Sequence, residues 1–190
     1  MRFRPLSLPI AALAAGMLLT LPGVLPAQQG FATRAFSGYG TTNGYGWGVG
    51  ADVGYQFPLP ILAPLPTFIG AWGAYHFGNE WMDEELGLEV EGKTAMLGAE
   101  LSAVWLQKPI YIRGNGAAGI ARVGRAVDDG EMLWETNFLL TGGIIFGRRF
   151  GNWAVGLEPH FPIVIGSDVT SSAFILYLSV GYVAGPNPDN

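Results

Sequence analysis

The sequence lacks cysteine and is poor in charge, and both shortages narrow the possible classes of protein. Without cysteine among its 190 residues, the chain has no disulfide framework, no thiolate metal site and no lipoprotein anchor. Charged residues make up 13%, half of the roughly 25% usual in soluble domains. No internal run is long and apolar enough for a membrane helix. Acidic residues outnumber basic ones, 15 to 10, without a basic patch, which argues against nucleic acid as a partner.

The first residues have the pattern of a targeting segment. Two basic residues, Arg2 and Arg4, precede an apolar run from Ile10 to Leu21, and a small residue, Ala27, follows. This order is typical of a secretory signal peptide, with a retained anchor as the alternative. We therefore divide the chain into a signal peptide, a main domain and a short tail, at residues 1–27, 28–184 and 185–190.

The stretch GYGWGVGADVGYQF, residues 44–57, shows a period of two over fourteen residues. Every odd position is apolar and every even position is small or polar, a pattern that a β-strand uses to separate its faces. Large side chains on one face and small or polar ones on the other are typical of a strand in a narrow transmembrane barrel. We expect its glycines to leave lumen space for side chains from the facing wall.

Similar alternation recurs along the chain between turn signals. The polar segments 78–92 and 124–132 and the proline-rich segment 58–66 interrupt it and are predicted to be loops. The pattern predicts an all-β fold, an eight-stranded antiparallel up-and-down transmembrane β-barrel with both chain ends on one side. The eight predicted strands cover residues 31–40, 44–57, 67–77, 93–106, 110–122, 133–146, 153–165 and 172–184.

Alternation also predicts which polar side chains point into the barrel. A charge that faces mid-bilayer lipid costs about 2–4 kcal/mol, so charged residues within strands should point inward and pair. In the first and third strands, the phase that places Arg34 and His76 inside also places Phe36 and Trp72 there. The predicted polar network of the lumen consists of Arg34, Asp52, His76, Glu100, Arg113, Asn115, Glu158 and His160.

The seventh predicted strand contains a carboxylate–imidazole pair and two prolines. Glu158 and His160 share one face, and a hydrolase would need a nucleophile beside them, for which Ser179 is the candidate. A paired network without catalysis is the preferred interpretation, and we predict no enzymatic activity, no cofactor and no metal site. Pro159 and Pro162 lack the ladder donor, so this strand is expected to be bulged or shorter than drawn.

The chain resembles the small eight-stranded outer-membrane barrel proteins, the group that includes the OmpA transmembrane domain, OmpX and the opacity-type adhesins. The stretch GYGWGVGADVGYQF, the inward arginines and glutamates, the signal peptide and the segment FILYLSVGYV carry this resemblance. It implies a bacterial outer-membrane location, contact with lipid and lipopolysaccharide, insertion by the barrel-assembly machinery, and a monomer.

The resemblance also implies a structural or adhesive role through the outer loops, with a lumen filled by side chains. Three alternatives stay open at this point. They are a narrow porin-like channel, an outer-membrane lipid-modifying hydrolase, and a secreted soluble barrel of lipocalin type.

Overall fold

The computed structural model describes residues 29–58, 65–83, 87–106, 110–127, 130–166 and 170–184. The predicted signal peptide and the tail lie outside these residues, as does most of the proline-rich segment. No helix among the described residues is long and apolar enough to cross a membrane. The strands are β1 (Gly30–Gly40), β2 (Gly46–Pro58), β3 (Pro66–Asp83), β4 (Leu88–Leu106), β5 (Ile110–Val127), β6 (Leu133–Phe150), β7 (Trp153–Ile165), β8 (Thr170–Ser172) and β9 (Ile175–Val183).

The strands pair antiparallel with their sequence neighbours, and the sheet closes on itself. Strand β9 pairs with β1, from Ala32 opposite Val183 to Gly40 opposite Ile175. Strand β7 pairs with β6 on one side and with both β9 and the short β8 on the other. Because β8 and β9 lie end to end along β7, the nine described strands fill eight positions in the ring. The predicted eight-stranded up-and-down barrel is confirmed.

The two faces of the wall differ as the period of two requires. Along β1, β2 and β7, buried residues that point inward alternate with exposed residues that point outward. Large apolar side chains are exposed on the outside, among them Trp47 at 63%, Leu97 at 58% and Leu178 at 56%. Charged residues are buried inside, the reverse of a soluble barrel that holds an apolar ligand.

The prediction that 78–92 forms a loop is wrong for most of that segment. Strand β3 continues to Asp83, and β4 begins at Leu88, with Glu80 opposite Glu91 in the ladder. Strands β5 and β6 are also longer than predicted, reaching Val127 and Phe150. The extensions are polar, and this composition predicted loops. Strands outside an apolar environment can, however, carry polar residues on both faces.

Strand β7 continues through both prolines, and each lies where the ladder is interrupted. Opposite Pro159, pairing with β6 is missing between His160 and Leu157. Pro162 lies between the part of β7 that pairs with β9 and the part that pairs with β8. Residues three apart direct their backbone N–H positions to opposite neighbours in a strand. Pro162 faces the side of β8 and β9, where its carbonyl oxygen accepts from the Ala173 N–H, and Pro159 faces the gap in the pairing with β6.

The inward glycines of β2 make room for aromatic rings. A Cβ placed on Gly50 would lie 2.2 Å from Cε2 of Phe36, and one on Gly48 would lie 2.5 Å from Nδ1 of His76. These rings come from β1 and β3, the strands on either side of β2. The glycines thus accommodate neighbouring strands, and the expectation that they face the opposite wall is wrong for these two positions.

Candidate functional site

The charged centre of the lumen is built from strands that meet only because the sheet closes. Arg34 lies on β1, Asp52 on β2, Glu100 on β4, Arg113 on β5 and Glu158 on β7. Each is at an inward position and at most 5% exposed. Five strands therefore contribute one charged side chain each to the same buried cluster.

Arg34 is the hub of this cluster. Its Nε donates to Oδ2 of Asp52 at 2.6 Å, and its Nη2 donates to Oε2 of Glu100 at 3.3 Å. Its Nη1 donates to Oε2 of Glu158 on β7, past the intervening strand β9. One guanidinium thus contacts three carboxylates on three different strands, which uses the fork of donors that lysine does not have.

Arg113 is the second cation of the cluster. Its Nη2 lies 2.7 Å from Oε1 of Glu100 and 3.4 Å from Oδ2 of Asp52. Its Nε donates to Oγ of Ser102 at 2.7 Å, and its guanidinium lies 4.5 Å from the ring centroid of Phe68. Asp52 and Glu100 therefore each contact both arginines.

Glu158 connects the charged cluster to a second group of polar side chains. Asn115 donates through Nδ2 to Oε1 of Glu158 at 2.6 Å, and Nδ1 of His160 lies 3.1 Å from the same oxygen. Nε2 of His160 contacts Oγ1 of Thr141. Nucleophile, imidazole and carboxylate thus occur in the order that hydrolases use, but Thr141 is only 8% exposed and His160 only 2%.

The Ser179 candidate for such a nucleophile is wrong in its geometry. Its Oγ donates to the carbonyl oxygen of Gly156 at 3.2 Å, and the hydroxyl that contacts His160 belongs to Thr141. Alternation places Thr141 inside the barrel, but it does not place Thr141 beside His160, because that contact depends on the register between β6 and β7.

His76 lies apart from the carboxylates, in an aromatic layer towards the end of the barrel opposite Gly30 and Val183. Its Nε2 lies 2.7 Å from the hydroxyl oxygen of Tyr177, and Nδ1 lies 3.3 Å from the carbonyl oxygen of Gly46. The ring of Tyr177 also packs at 4.7 Å on Phe36 and at 5.5 Å on His160. Alternation in the last strand predicts that Tyr177 points inward, but the predicted polar network did not include it, because its side chain carries no charge.

The turn between β1 and β2 folds over the mouth of the lumen above this layer. Thr94 donates through Oγ1 to the carbonyl oxygen of Gly44 at 2.8 Å, and the Gly44 N–H donates to Oδ1 of Asn79 at 2.7 Å. Gly44 has a φ of 86°, a backbone conformation that favours glycine. Tyr45 is 4% exposed and lies 5.3 Å from the His76 ring. The mouth is thus covered at this side.

Four strands extend beyond this mouth and form a sheet that we call the outer sheet. The β2–β3 ladder ends at Gly46 opposite Gly78, and the β6–β7 ladder begins at Phe138 opposite Ile165. Pairing among β3, β4, β5 and β6 nevertheless continues for about five more residues, about 17 Å along the strands. The outer sheet comprises residues 79–83, 88–92, 123–127 and 133–137.

No arrangement in the described residues suggests a metal centre. Within the described ranges, no group of three or more histidine, cysteine, aspartate or glutamate side chains is placed to hold an ion. The charged side chains of the lumen pair with one another instead. The arrangement can balance charge inside a closed wall, and its side chains fill the centre of the lumen.

Comparisons with known proteins agree with this architecture. No protein-family model matches the chain, and no curated protein sequence matches it. Neisserial surface protein A is 8% identical, with 80% of this chain and 96% of that one covered and a TM-score of 0.53. A major outer membrane protein from Thermus thermophilus is 12% identical, with coverages of 81% and 98% and a TM-score of 0.56.

A third solved structure is the N-terminal β-barrel domain of Pseudomonas aeruginosa OprF. It is 12% identical to this chain, with coverages of 82% and 97% and a TM-score of 0.50. At these identities the likeness is one of fold. The chain has the fold of the small eight-stranded outer-membrane β-barrels.

Proposed function

We propose that the chain is an integral outer-membrane β-barrel, with a lumen closed by side chains, that presents its outer sheet to the cell's surroundings. The observation that supports this is the inverted polarity of the wall. Apolar side chains such as Leu97, Leu101 and Leu178 are more than half exposed outside, while five charged residues are buried within. Burial of charge inside and exposure of large apolar side chains outside stabilises a barrel only in lipid.

The same proposal assigns the direction of insertion. The start of β1 at Gly30, the end of β9 at Val183 and the two-residue turn at Gly151–Asn152 lie at one end, and the outer sheet lies at the other. Outer-membrane barrels have short turns on the periplasmic side and long extensions outside. We therefore place the outer sheet outside the cell. Lipid and lipopolysaccharide as neighbours, the barrel-assembly machinery as insertase and a monomeric barrel belong to this proposal.

The outer sheet supports a role in surface contact. Residues 79–83 on β3 have no ladder partner on the β2 side, and residues 133–137 on β6 have none on the β7 side within the described chain. Such edges accept an added strand from another protein. Exposed apolar side chains accompany them, with Met82 at 61% and Leu133 at 72%. Contact with an extended peptide segment of another protein is the activity we assign to these edges.

The buried lumen argues against the two other membrane roles. Arg34, Asp52, Glu100 and Glu158 are at most 3% exposed, so ions would have to displace a paired cluster to pass. The Thr141, His160 and Glu158 group is enclosed by the same packing, and a lipid substrate would have to cross the wall to reach it. We accordingly propose a non-enzymatic, non-conducting barrel.

The absence of cysteine allows a clean test of location and direction. In intact cells, Met82→Cys should react with a membrane-impermeant maleimide, because Met82 lies on the outer sheet. The matched control is Asn152→Cys, in the two-residue turn at the opposite end, which should react only after lysis. Fractionation should place both variants in the outer membrane, with faster gel migration before heating. Recovery in the soluble periplasmic fraction, or labelling of Asn152→Cys alone in intact cells, would refute the proposal.

A further inference from the structure

The outward face of β4, β5 and β6 changes from apolar to cationic at one level of the wall. The ladders place Leu97, Ile120 and Phe138 side by side, and these side chains are 58%, 48% and 49% exposed. The next outward row beyond them contains Arg122, and the row after that contains Lys93 and Trp134. We call Lys93, Arg122 and Trp134 the cationic rim.

The height of the cationic rim follows from strand geometry. Outward positions on β5 from Ile110 to Ile120 span about 26 Å along the barrel axis, at about 3.4 Å per residue and a tilt of about 40°. The apolar band of outer-membrane barrels is about 25 Å tall. Arg122 lies two residues beyond Ile120, about 5 Å above the band. That is the depth of lipid headgroups, and it lies at the end that the proposed function places outside.

Arg122 is positioned without a carboxylate partner. Its guanidinium carbon lies 5.3 Å from the ring centroid of Trp134. Among the described residues, no aspartate or glutamate lies within ion-pair distance of it. A ring beneath a guanidinium orients it without neutralising its charge.

Lys93 supplies a second cation near Arg122 but is partly compensated. The two residues are diagonal neighbours on adjacent strands, since Lys93 is opposite Gly124 and Arg122 is opposite Ala95. This spacing is about 7 Å. The ammonium of Lys93 lies 2.7 Å from Oε1 of Glu91, which is directed away from the apolar band. A ligand at Lys93 therefore competes with Glu91.

We propose that the cationic rim binds a phosphate of the glycolipid that forms the outer leaflet. Guanidinium groups bind phosphate through paired N–H donors, lysine adds a point charge, and tryptophan is favoured at the membrane interface. This inference deepens the proposed function and depends on its membrane orientation. The outer leaflet is the source we assign, because the cationic rim and the outer sheet lie at the same end.

Arg148 provides an internal control at the other end of the wall. It lies 5.3 Å from the ring centroid of Phe150, so it repeats the contact of Arg122 with an aromatic ring. Its ladder partners are Val155 and Ile110, and neither adds a second cation. An arginine without a second cation on its described ladder partners is expected to contribute little to glycolipid binding.

The test measures lipid binding by the purified full-length barrel in uncharged detergent, using native mass spectrometry. Diphosphorylated lipid A is titrated against the unsubstituted protein, the pair Lys93→Gln and Arg122→Gln, and the control Arg148→Gln. The paired variant should bind at least tenfold more weakly, and Arg148→Gln should match the unsubstituted protein. Dephosphorylated lipid A should bind at least tenfold more weakly to the unsubstituted barrel. Equal binding of the two lipids, or no loss in the paired variant, would overturn the inference.

Two further arms separate the possible sources and failures. Phosphatidylglycerol should bind more weakly than lipid A; if it binds equally, the assignment to a glycolipid is wrong. Glu91→Gln should strengthen lipid A binding several-fold, because it removes the carboxylate that competes at Lys93. Heat-modifiable migration reports folding of every variant. A barrel that inserts in bilayers but binds no lipid A refutes this inference alone, whereas failure to insert refutes the proposed function.

Discussion

Replacement of Arg34 by methionine is the sharpest test of the lumen cluster. Arg34 is 3% exposed and contacts Asp52, Glu100 and Glu158, each on a different strand. Methionine retains much of the apolar stem but removes every donor. Three buried carboxylates then face Arg113 alone, and Arg113 reaches only two of them in this structure.

The expected loss of stability follows from the cost of an uncompensated buried charge. Removal of one partner of a buried ion pair costs about 3–5 kcal/mol. We expect Arg34→Met to fall at the upper end, about 5 kcal/mol, because three carboxylates lose a contact at once. Glu158 loses its arginine altogether and keeps only Asn115 and His160. A second change, Glu158→Gln, should recover about 1–3 kcal/mol, because it returns the formal net charge of the cluster to that of the unsubstituted protein.

The assay is urea unfolding of the barrel in lipid vesicles, followed by tryptophan fluorescence and by migration of unheated samples. Arg125→Met is the matched control, since Arg125 is exposed on the outer sheet and should change stability by less than about 0.5 kcal/mol. A loss below about 1 kcal/mol for Arg34→Met would refute the reasoning. A double variant that is less stable than Arg34→Met would also refute it, because the net charge of the cluster would then not determine its stability.

Two more stability predictions use the same assay. Gly50→Ala should cost about 1–3 kcal/mol, because its Cβ would lie 2.2 Å from the ring of Phe36; Gly181→Ala, with no contact closer than 3.6 Å, should be tolerated, and equal losses would contradict this. Leu101→Arg, at the middle of the apolar face, should cost about 2–4 kcal/mol in lipid. Leu133→Arg, on the outer sheet, should cost less than about 0.5 kcal/mol, and a similar loss at both leucines would argue against the assigned membrane level.

The alternation of residues along each strand determines which side chains face the lumen and which face outward. A period of two fixes which side chains share a face, whatever the partner strands are. This is why Arg34, Asp52, Glu100, Arg113, Glu158 and His160 could be assigned to the lumen from their positions. It also explains why the ambiguous first and third strands follow the phase of Arg34 and His76, with Phe36 and Trp72 buried beside them.

Strand length and the fit of prolines were less accessible to sequence reasoning. The segment 78–92 is polar, and nothing in its composition distinguishes a loop from an extended sheet in water. Pro159 and Pro162 fit within a continuous strand because the ladder is interrupted beside each of them. Such features depend on the register between strands, which alternation does not specify.

The sequence by itself determined the barrel wall, its two faces and the inward set of charges, because side-chain direction in a strand is a local property. Only the tertiary structure decided the partners. Arg34 and Glu158 are 124 residues apart, and Thr141 lies beside His160 only after β6 and β7 pair. Contacts across a lumen depend on how the sheet closes and how its strands are staggered, and those are properties of the whole ring.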